Sequence, residues 1–296
     1  MNHQNSEFTI TGFSTALFST WYFIDQMGIL FDCGDGVSSA LMQKAGKIKH
    51  VFISHADRDH LGGLLQFQQL NGKSGLKIYY PADAGSFPAL ADFAAKFDPH
   101  VSGTQWIPIR AGDEIQIRAD LCVRAVENAH IKTQNAQTKS LSYFVDQVSR
   151  KLKPSLVGQD GSAIAKLKQE QGEEAISDIS RTTKLIYSGD TPIELDGRYN
   201  DTEILIHEAT FLTAAEIDPD DPRRNKHSSL DQVIAMVAKS NIQQLVLGHF
   251  SNRYDHDQID EAISQECVKH KLTIPVFRIL PGQVARDLLK KSPETE

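Results

Sequence analysis

The segment Ser54-His-Ala-Asp-Arg-Asp-His-Leu-Gly-Gly63 constrains this chain more than any other. A β-type run over residues 51–53 stops at a turn carrying His55, Asp57, Asp59 and His60, four potential metal ligands within six residues. Imidazole nitrogen and carboxylate oxygen together suit zinc, manganese or iron, and carboxylates harden such a site. Arg58 alternates with the candidates and should point away from any ion. Gly62 and Gly63 would let a following helix pack close to the turn, because they carry no Cβ. The competing account is a polar surface turn in which Asp59 caps a helix, since short patterns of this kind also arise by chance.

The 296 residues suit one large domain or two small ones, and 40% hydrophobic with 23% charged residues is the balance of a soluble globular chain. The apolar stretches are too short or interrupted to span a bilayer, so no membrane partner is expected. Residues 1–8 lack the basic-then-apolar pattern of a signal peptide, and a cytoplasmic location follows as the expectation. Cys33, Cys122 and Cys267 are odd in number and widely spaced, which points to free thiols rather than disulfides or a thiolate zinc site. A net charge of -7 gives no general attraction to nucleic acid and leaves a local basic patch open.

Short β-type runs fill the first half, at 8–11, 16–24, 28–33, 51–55, 76–80, 114–117, 121–126 and 141–145. Helical spacing interrupts them at 61–70 and 88–97. In the second half, 184–188 reads as a strand ending at Gly189-Asp190, and 203–207 and 244–249 as two more. Residues 228–240 read as a helix with Leu230, Val233, Ile234 and Val237 on one face, and Ser228 with Asp231 resembles a capping box. Strands in both halves with helices between them imply an α/β fold of two sheets covered on the outside by helices. Residues 147–181 are polar and mixed in charge, and read either as a protruding arm or helical insertion of a single domain, or as a surface loop.

The ligand-rich turn resembles the His-x-His-x-Asp-His signature of the metallo-β-lactamase superfamily, with Asp57 in the place of the second His. Other landmarks follow in order. Leu30-Phe-Asp-Cys-Gly-Asp-Gly36 is similar to the first motif, whose Asp, here Asp32, supports the site without ligating. His130, Ile186-Tyr-Ser-Gly-Asp-Thr191 and Leu247-Gly-His-Phe-Ser-Asn-Arg-Tyr254 resemble the remaining three. Within the superfamily the chain is similar to the tRNase Z group, through His207-Glu-Ala-Thr-Phe211, His227-Ser-Ser229 and the run His249 to Tyr254. It departs from that group at Asp57, in residues 12–22, which lack the group's proline- and lysine-containing loop, and in the 147–181 segment, which lacks a Gly-Pro signature. Residues 146–174 carry five basic side chains (Arg150, Lys151, Lys153, Lys166, Lys168) against five acidic ones (Asp146, Asp160, Glu170, Glu173, Glu174), a poor phosphate clamp.

The resemblance implies a four-layer αββα sandwich with two mixed β-sheets. It implies two divalent metal ions, one held by His55, Asp57 and His130, the other by Asp59, His60 and His249, with Asp190 bridging. Zinc is the first expectation, with manganese or iron opened by Asp57. Such a pair lowers the pKa of a shared water. Asp59, Glu208 and His227 form the expected catalytic set, in which a carboxylate beside an imidazole raises its basicity; Glu208 as a surface acid and His227 as a helix-entry residue is the plain alternative. His207, one residue from Glu208 on an alternating strand, should face the other way. His3, His50, His100, His256 and His270 read as ordinary, His256 as solvated. Phe250 and Tyr254 read as packing residues, and Arg253 meets either a substrate phosphate or a structural acid.

The expected function is hydrolysis of a phosphodiester, with RNA 3′-end processing as its sharpest form. The alternatives are a hydrolase of another ester (aryl sulfate, cyclic nucleotide or carboxylic ester) and a non-catalytic or biosynthetic protein with an altered metal site. A homodimer is also expected, from the resemblance alone.

Overall fold

In the computed structural model, which describes residues 8–72, 75–131, 133, 137–218, 220–221 and 226–290, β-type runs assemble into two sheets. The N-terminal tail with His3 lies outside the described residues. The first sheet has six strands in sequential order: β1 (Ile10–Thr15), β2 (Ser19–Ile24), β3 (Ile29–Phe31), β4 (His50–Phe52), β5 (Lys77–Pro81) and β6 (Gln105–Ile109). β1 to β3 pair antiparallel and β3 to β6 parallel. The second sheet has seven: β7 (Glu114–Arg118), β8 (Leu121–Glu127), β9 (Leu141–Leu152), β10 (Ser177–Tyr187), β11 (Thr202–Glu208), β12 (Ile242–Gly248) and β13 (Val276–Arg278), in the order β13-β12-β11-β10-β9-β8-β7. It is antiparallel from β7 to β10 and parallel from β10 to β13. Both sheets are therefore mixed.

Helices cover the outer faces. α1 (Val37–Leu41), α2 (Arg58–Leu61), α3 (Leu64–Asn71) and α4 (Ser86–Phe97) belong to the first sheet's connections. α5 (Gly161–Gln171), α6 (Glu173–Ile176), α7 (Leu230–Val237) and α8 (His256–His270) belong to the second. One core lies between the sheets, where the rings of Phe31, Phe52, Tyr79, Tyr143 and Tyr187 pack with centroids between 4.5 and 6.1 Å apart. Each such buried aromatic ring contributes roughly 1.5–3 kcal/mol. A second core joins the first sheet to Val37, Leu64, Phe67 and Phe87, and a third joins the other sheet to Leu230, Val233, Ile234, Val237, Ile259 and Ile263. This is the four-layer αββα arrangement. Among the described residues, no helix is long and apolar enough to cross a membrane.

The apolar face expected over 228–240 is buried as read, but the helix is shorter, Leu230–Val237, and its N-cap is Ser229. The Ser228–Asp231 capping box does not form. Ser228 Oγ donates instead to the Thr191 carbonyl at 2.8 Å, tying the helix entry to the loop after β10, while Asp231 accepts from Ser229 Oγ and from the Ala214 N–H. Residues 16–18 are a hairpin turn rather than strand, with Leu17 at φ 70°. The helical run read at 61–70 breaks into α2 and α3. β6, β13 and α8 carry no clear sequence signal. α8 shows the reason: only Ile259, Ile263 and Cys267 of its fifteen residues are buried, a stripe too thin to stand out.

Residues 147–181 are not a loop. β9 and β10 pair antiparallel from Tyr187↔Tyr143 out to Ser177↔Leu152, and α5 and α6 close the ribbon's end. Asp160 starts α5 by accepting from the Ser162 and Ala163 N–H groups, and none of the α5 residues is buried.

Gly63 stands at the junction of α2 and α3, where a Cβ would overlap the Gly34 carbonyl oxygen and press on that of Cys33. Its φ of -84° is ordinary, so the constraint is space and not backbone freedom. Gly63→Ala is expected to cost about 1–3 kcal/mol as overpacking, read as a lowered thermal midpoint. An unchanged midpoint would mean that the Cys33–Gly34 loop yields freely.

Candidate metal centre

Strand ends deliver the site. His55 lies in the turn between β4 and α2, Asp57 is the α2 N-cap, and Asp59 and His60 lie within α2. His130 follows β8, Asp190 follows β10, and His249 follows β12. Glu208 is the last residue of β11. Three residues here lie in the left-handed region without being glycine: Leu17, Asp32 (φ 53°) and His249 (φ 60°). Such backbone costs roughly 1–3 kcal/mol per residue and persists where the surroundings hold it, often at functional sites.

The seven side chains singled out as ligands converge. The Asp57 Oδ2 lies 3.6 Å from His55 Nε2 and 3.7 Å from His130 Nε2. The Asp59 Oδ2 lies 3.5 Å from His60 Nε2 and 3.3 Å from His249 Nε2. The Asp190 Oδ2 sits between the two groups, 3.2 Å from both His60 Nε2 and His249 Nε2 and 3.8 Å from His55 Nε2. Atoms bound about 2.0–2.1 Å from a shared zinc-sized ion stand roughly 3.3 Å apart, so these separations suit ligation.

Hydrogen bonding on the far side of each ring sets the tautomers. His60 Nδ1 donates to Asp32 at 2.7 Å and His130 Nδ1 to the Lys226 carbonyl at 3.1 Å. The Ser54 hydroxyl gives its proton to Asp32 and therefore accepts from His55 Nδ1 at 2.9 Å. Thr210 gives its proton to Glu208 and accepts from His249 Nδ1 at 2.8 Å. All four Nε2 atoms consequently present lone pairs to one volume that is also lined by carboxylates. His60 Nε2 and His249 Nε2 stand 3.4 Å apart, and His55 Nε2 is buried with no hydrogen-bond partner. Lone pairs and carboxylates facing each other repel unless a positive charge lies between them, and the donor set therefore fits the divalent cations that the fold implies.

Asp57 differs from Asp59 in exposure, with 61% of its side chain accessible against 10%. Asp32 is wholly buried and accepts from the Ser54 N–H and hydroxyl, His60 and the Tyr187 hydroxyl, so it braces the site from behind.

Glu208 and His227 form a second element. The Glu208 carboxylate accepts from His227 Nδ1 at 3.0 Å, from the Thr191 N–H at 2.8 Å and from Thr210. The His227 ring lies 5.1 Å from that of His130 and 5.5 Å from that of His249, between the two ligand groups. Burial alone would lower its pKa, but the charge and hydrogen bond of Glu208 reverse this and raise it to about 9. His207 faces the other way, edge-on to Tyr199 at 5.6 Å.

Arg58 is exposed. Arg253 pairs with Glu216 at 3.1 Å and lies over the Phe211 and Tyr254 rings, so the structural reading of it holds. His256 is not simply solvated, because its Nε2 bonds the Pro281 carbonyl at 3.0 Å. All three cysteines are free and buried. Sequence reading missed Ser54, Tyr187, Thr191 and Thr210 as supports. Each lies inside or beside a quoted motif, and that adjacency was the available signal.

A raised His227 pKa has a definite sign. The stabilisation it reflects is complete below the ordinary histidine value of about 6.5 and is lost as pH rises through about 9. In metal-free protein, an NMR titration should place His227 well above 6.5, and Glu208→Gln should bring it below that value. A near-normal titration in the unaltered protein would remove the Glu208 contribution.

The beta-lactamase superfamily domain model matches residues 28–152. The chloroplastic tRNase Z of Arabidopsis thaliana is 28% identical over 284 residues, covering 93% of this chain and 76% of that protein. The metallo-β-lactamase-fold protein YhfI from Bacillus subtilis superposes with a TM-score of 0.62 at 16% identity, over 94% of this chain and 99% of the other. The short form of human tRNase Z superposes at 0.56 and 19% identity, over 83% and 93%. With its two mixed sheets and outer helices, the chain has the metallo-β-lactamase fold.

Proposed function

We propose that this protein is a metal-dependent phosphodiesterase that cleaves RNA at the 3′ end of a tRNA precursor. The observation that carries the reading is the position of the Glu208–His227 pair between the two ligand groups, in a chain similar to a tRNase Z over 93% of its length. His55, Asp57 and His130 would hold one divalent cation, Asp59, His60 and His249 a second, and Asp190 would bridge them. Zinc suits the four imidazoles, and the Asp57 carboxylate hardens its position enough to admit manganese or iron. A homodimer belongs to the same reading and rests on the resemblance alone. A degraded site was the other account of Asp57, but its oxygen reaches the same volume as the His55 and His130 nitrogens.

When bound, the cations would supply water activation and neutralise charge on the phosphate. The chain's own groups do the rest. Asp32, Ser54 and Thr210 lock the imidazoles so that no reorganisation is needed on binding. Glu208 holds His227 by Nδ1, leaving Nε2 to protonate the departing ribose oxygen or to stabilise a phosphate oxygen. Thr191 and Thr210 keep the Glu208 carboxylate in place during that transfer.

Asp190→Ala should abolish cleavage of both a 3′-extended tRNA and a small aryl phosphodiester; retained turnover would end the proposal. His227→Ala should lower kcat by about 10²–10⁴-fold with metal content unchanged, the scale of a lost general acid. Asp57→His should shift metal preference towards zinc, measured by elemental analysis after loading from mixed metals. Unaltered content and preference would exclude Asp57 as a ligand.

A further inference from the structure

β11 and β10 run parallel and pair as far as Tyr187↔Ile206, and the Ser188 N–H still donates to the Ile206 carbonyl at 3.0 Å. Carbonyls alternate sides along a strand, so the Glu208 carbonyl is the next one to face β10. By that point β10 has turned away. Gly189 takes a φ of 62°, Asp190 goes to the ligand cluster, and the Thr191 N–H is given to the Glu208 carboxylate. The place left open is filled by a side chain: His207 Nδ1 donates to the Glu208 carbonyl at 2.7 Å. On the opposite edge the Ala209 N–H donates to the Gly248 carbonyl at 2.9 Å. The peptide unit between Glu208 and Ala209 is therefore held at both ends, by the His207 ring on the β10 side and by β12 on the other. Two residues beyond Glu208, Thr210 gives its proton to the Glu208 carboxylate. Rotation of that peptide would swing both the carboxylate and one of its holders.

The residue type at 207 is out of keeping with its surroundings. Leu205, His207 and Ala209 share one face of β11, and Leu205 and Ala209 are buried in the apolar cluster beneath α7. His207 is 1% exposed in the same layer. Burial lowers the pKa of its ring, so one nitrogen carries the proton. That nitrogen is Nδ1, because a carbonyl can only accept. Nε2 is left with a bare lone pair, buried and without a hydrogen-bond partner among the described residues. Leucine or phenylalanine would fill this position and strand no polar atom. A stranded nitrogen in a native core calls for a reason, and the Nδ1 bond to the Glu208 carbonyl supplies one.

We propose that His207 is a positioning residue: its ring replaces the strand partner that β10 withdraws, and by fixing the Glu208 peptide it keeps the Glu208 carboxylate turned to His227; this rests on the roles given above to Glu208 and His227. Three variants separate positioning from packing. His207→Phe keeps a ring and removes the donor. His207→Leu does the same with a smaller side chain, should the phenylalanine protein not fold. His207→Asn sets an amide Nδ2 where Nδ1 stood. With bis(4-nitrophenyl) phosphate as substrate, His207→Phe should lower kcat about 10–100-fold, the scale of a lost supporting partner, with KM and metal content unchanged. His207→Asn should recover most of that loss. In a Glu208→Gln background His207→Phe should add nothing, because residues acting through one group are not additive. A full loss in both backgrounds, or an asparagine protein as impaired as the phenylalanine one, would overturn the role. A second readout does not depend on turnover. In metal-free protein the His227 Nδ1 proton, donated to Glu208, should give a downfield imidazole NMR signal in the unaltered protein and in His207→Asn, and lose it in His207→Phe. If the diester is not cleaved, or Glu208→Gln cleaves it at the full rate, the functional reading above fails by itself and this signal decides. The same signal in all three proteins would overturn the positioning role.

Discussion

Four imidazole nitrogens direct lone pairs into one small volume, and each ring is held by a hydrogen bond from its other nitrogen. Carboxylates of Asp57, Asp59 and Asp190 close the same volume. Without positive charge the arrangement is repulsive, and it survives in the fold because the backing network is itself buried and satisfied. Asp32 is the centre of that network. It reaches from the end of β3 to His60, to both donors of Ser54 and to Tyr187 of the other sheet, so the two halves of the molecule are joined directly behind the reacting groups.

The architecture explains why such a cluster can exist. Parallel strands end together at one edge of each sheet, and the loops that leave them meet across the inter-sheet core. Positive φ at Asp32 and His249 turns those loops sharply enough to aim the side chains inward. Gly34 and Gly63 allow the ligand-bearing turn to press against the β3 loop, where a Cβ would have no room. Strain and close approach are concentrated where the chemistry is, and the aromatic stack between the sheets supplies the rigidity that tolerates them.

Much of this was readable from the chain. The dense turn at residues 55–60, the strand-ending Asp190 and His249, and the Glu208–His227 pair all stood out, because ligand chemistry needs particular side chains at strand ends. Other features were not. α8 and β13 lack a strong period, and the helix expected from Ser228 begins one residue past Ser229 because Ser228 is spent on Thr191. The 147–181 segment reads as polar and featureless, yet it pairs as an extended ribbon, since backbone hydrogen bonding across two strands needs no hydrophobic alternation when both faces meet water. A cavity lined by Phe13, Phe18, Tyr254 and Pro281 has no sequence signature, being made by three segments, two of them more than two hundred residues from the first.

By itself, the order of residues determined the donor chemistry: which atoms are available to bind a cation, and which carboxylate stands beside which imidazole in each motif. Those are local properties, set by side-chain type and by the turn that follows a strand. Only the tertiary structure decided which nitrogen of each ring faces the site, that Asp57 reaches the same volume as His55 and His130, and that His227 lies between the two ligand groups. These depend on contacts between segments distant in the chain, and a tautomer or a separation of a few ångströms is fixed by the packing of both sheets together.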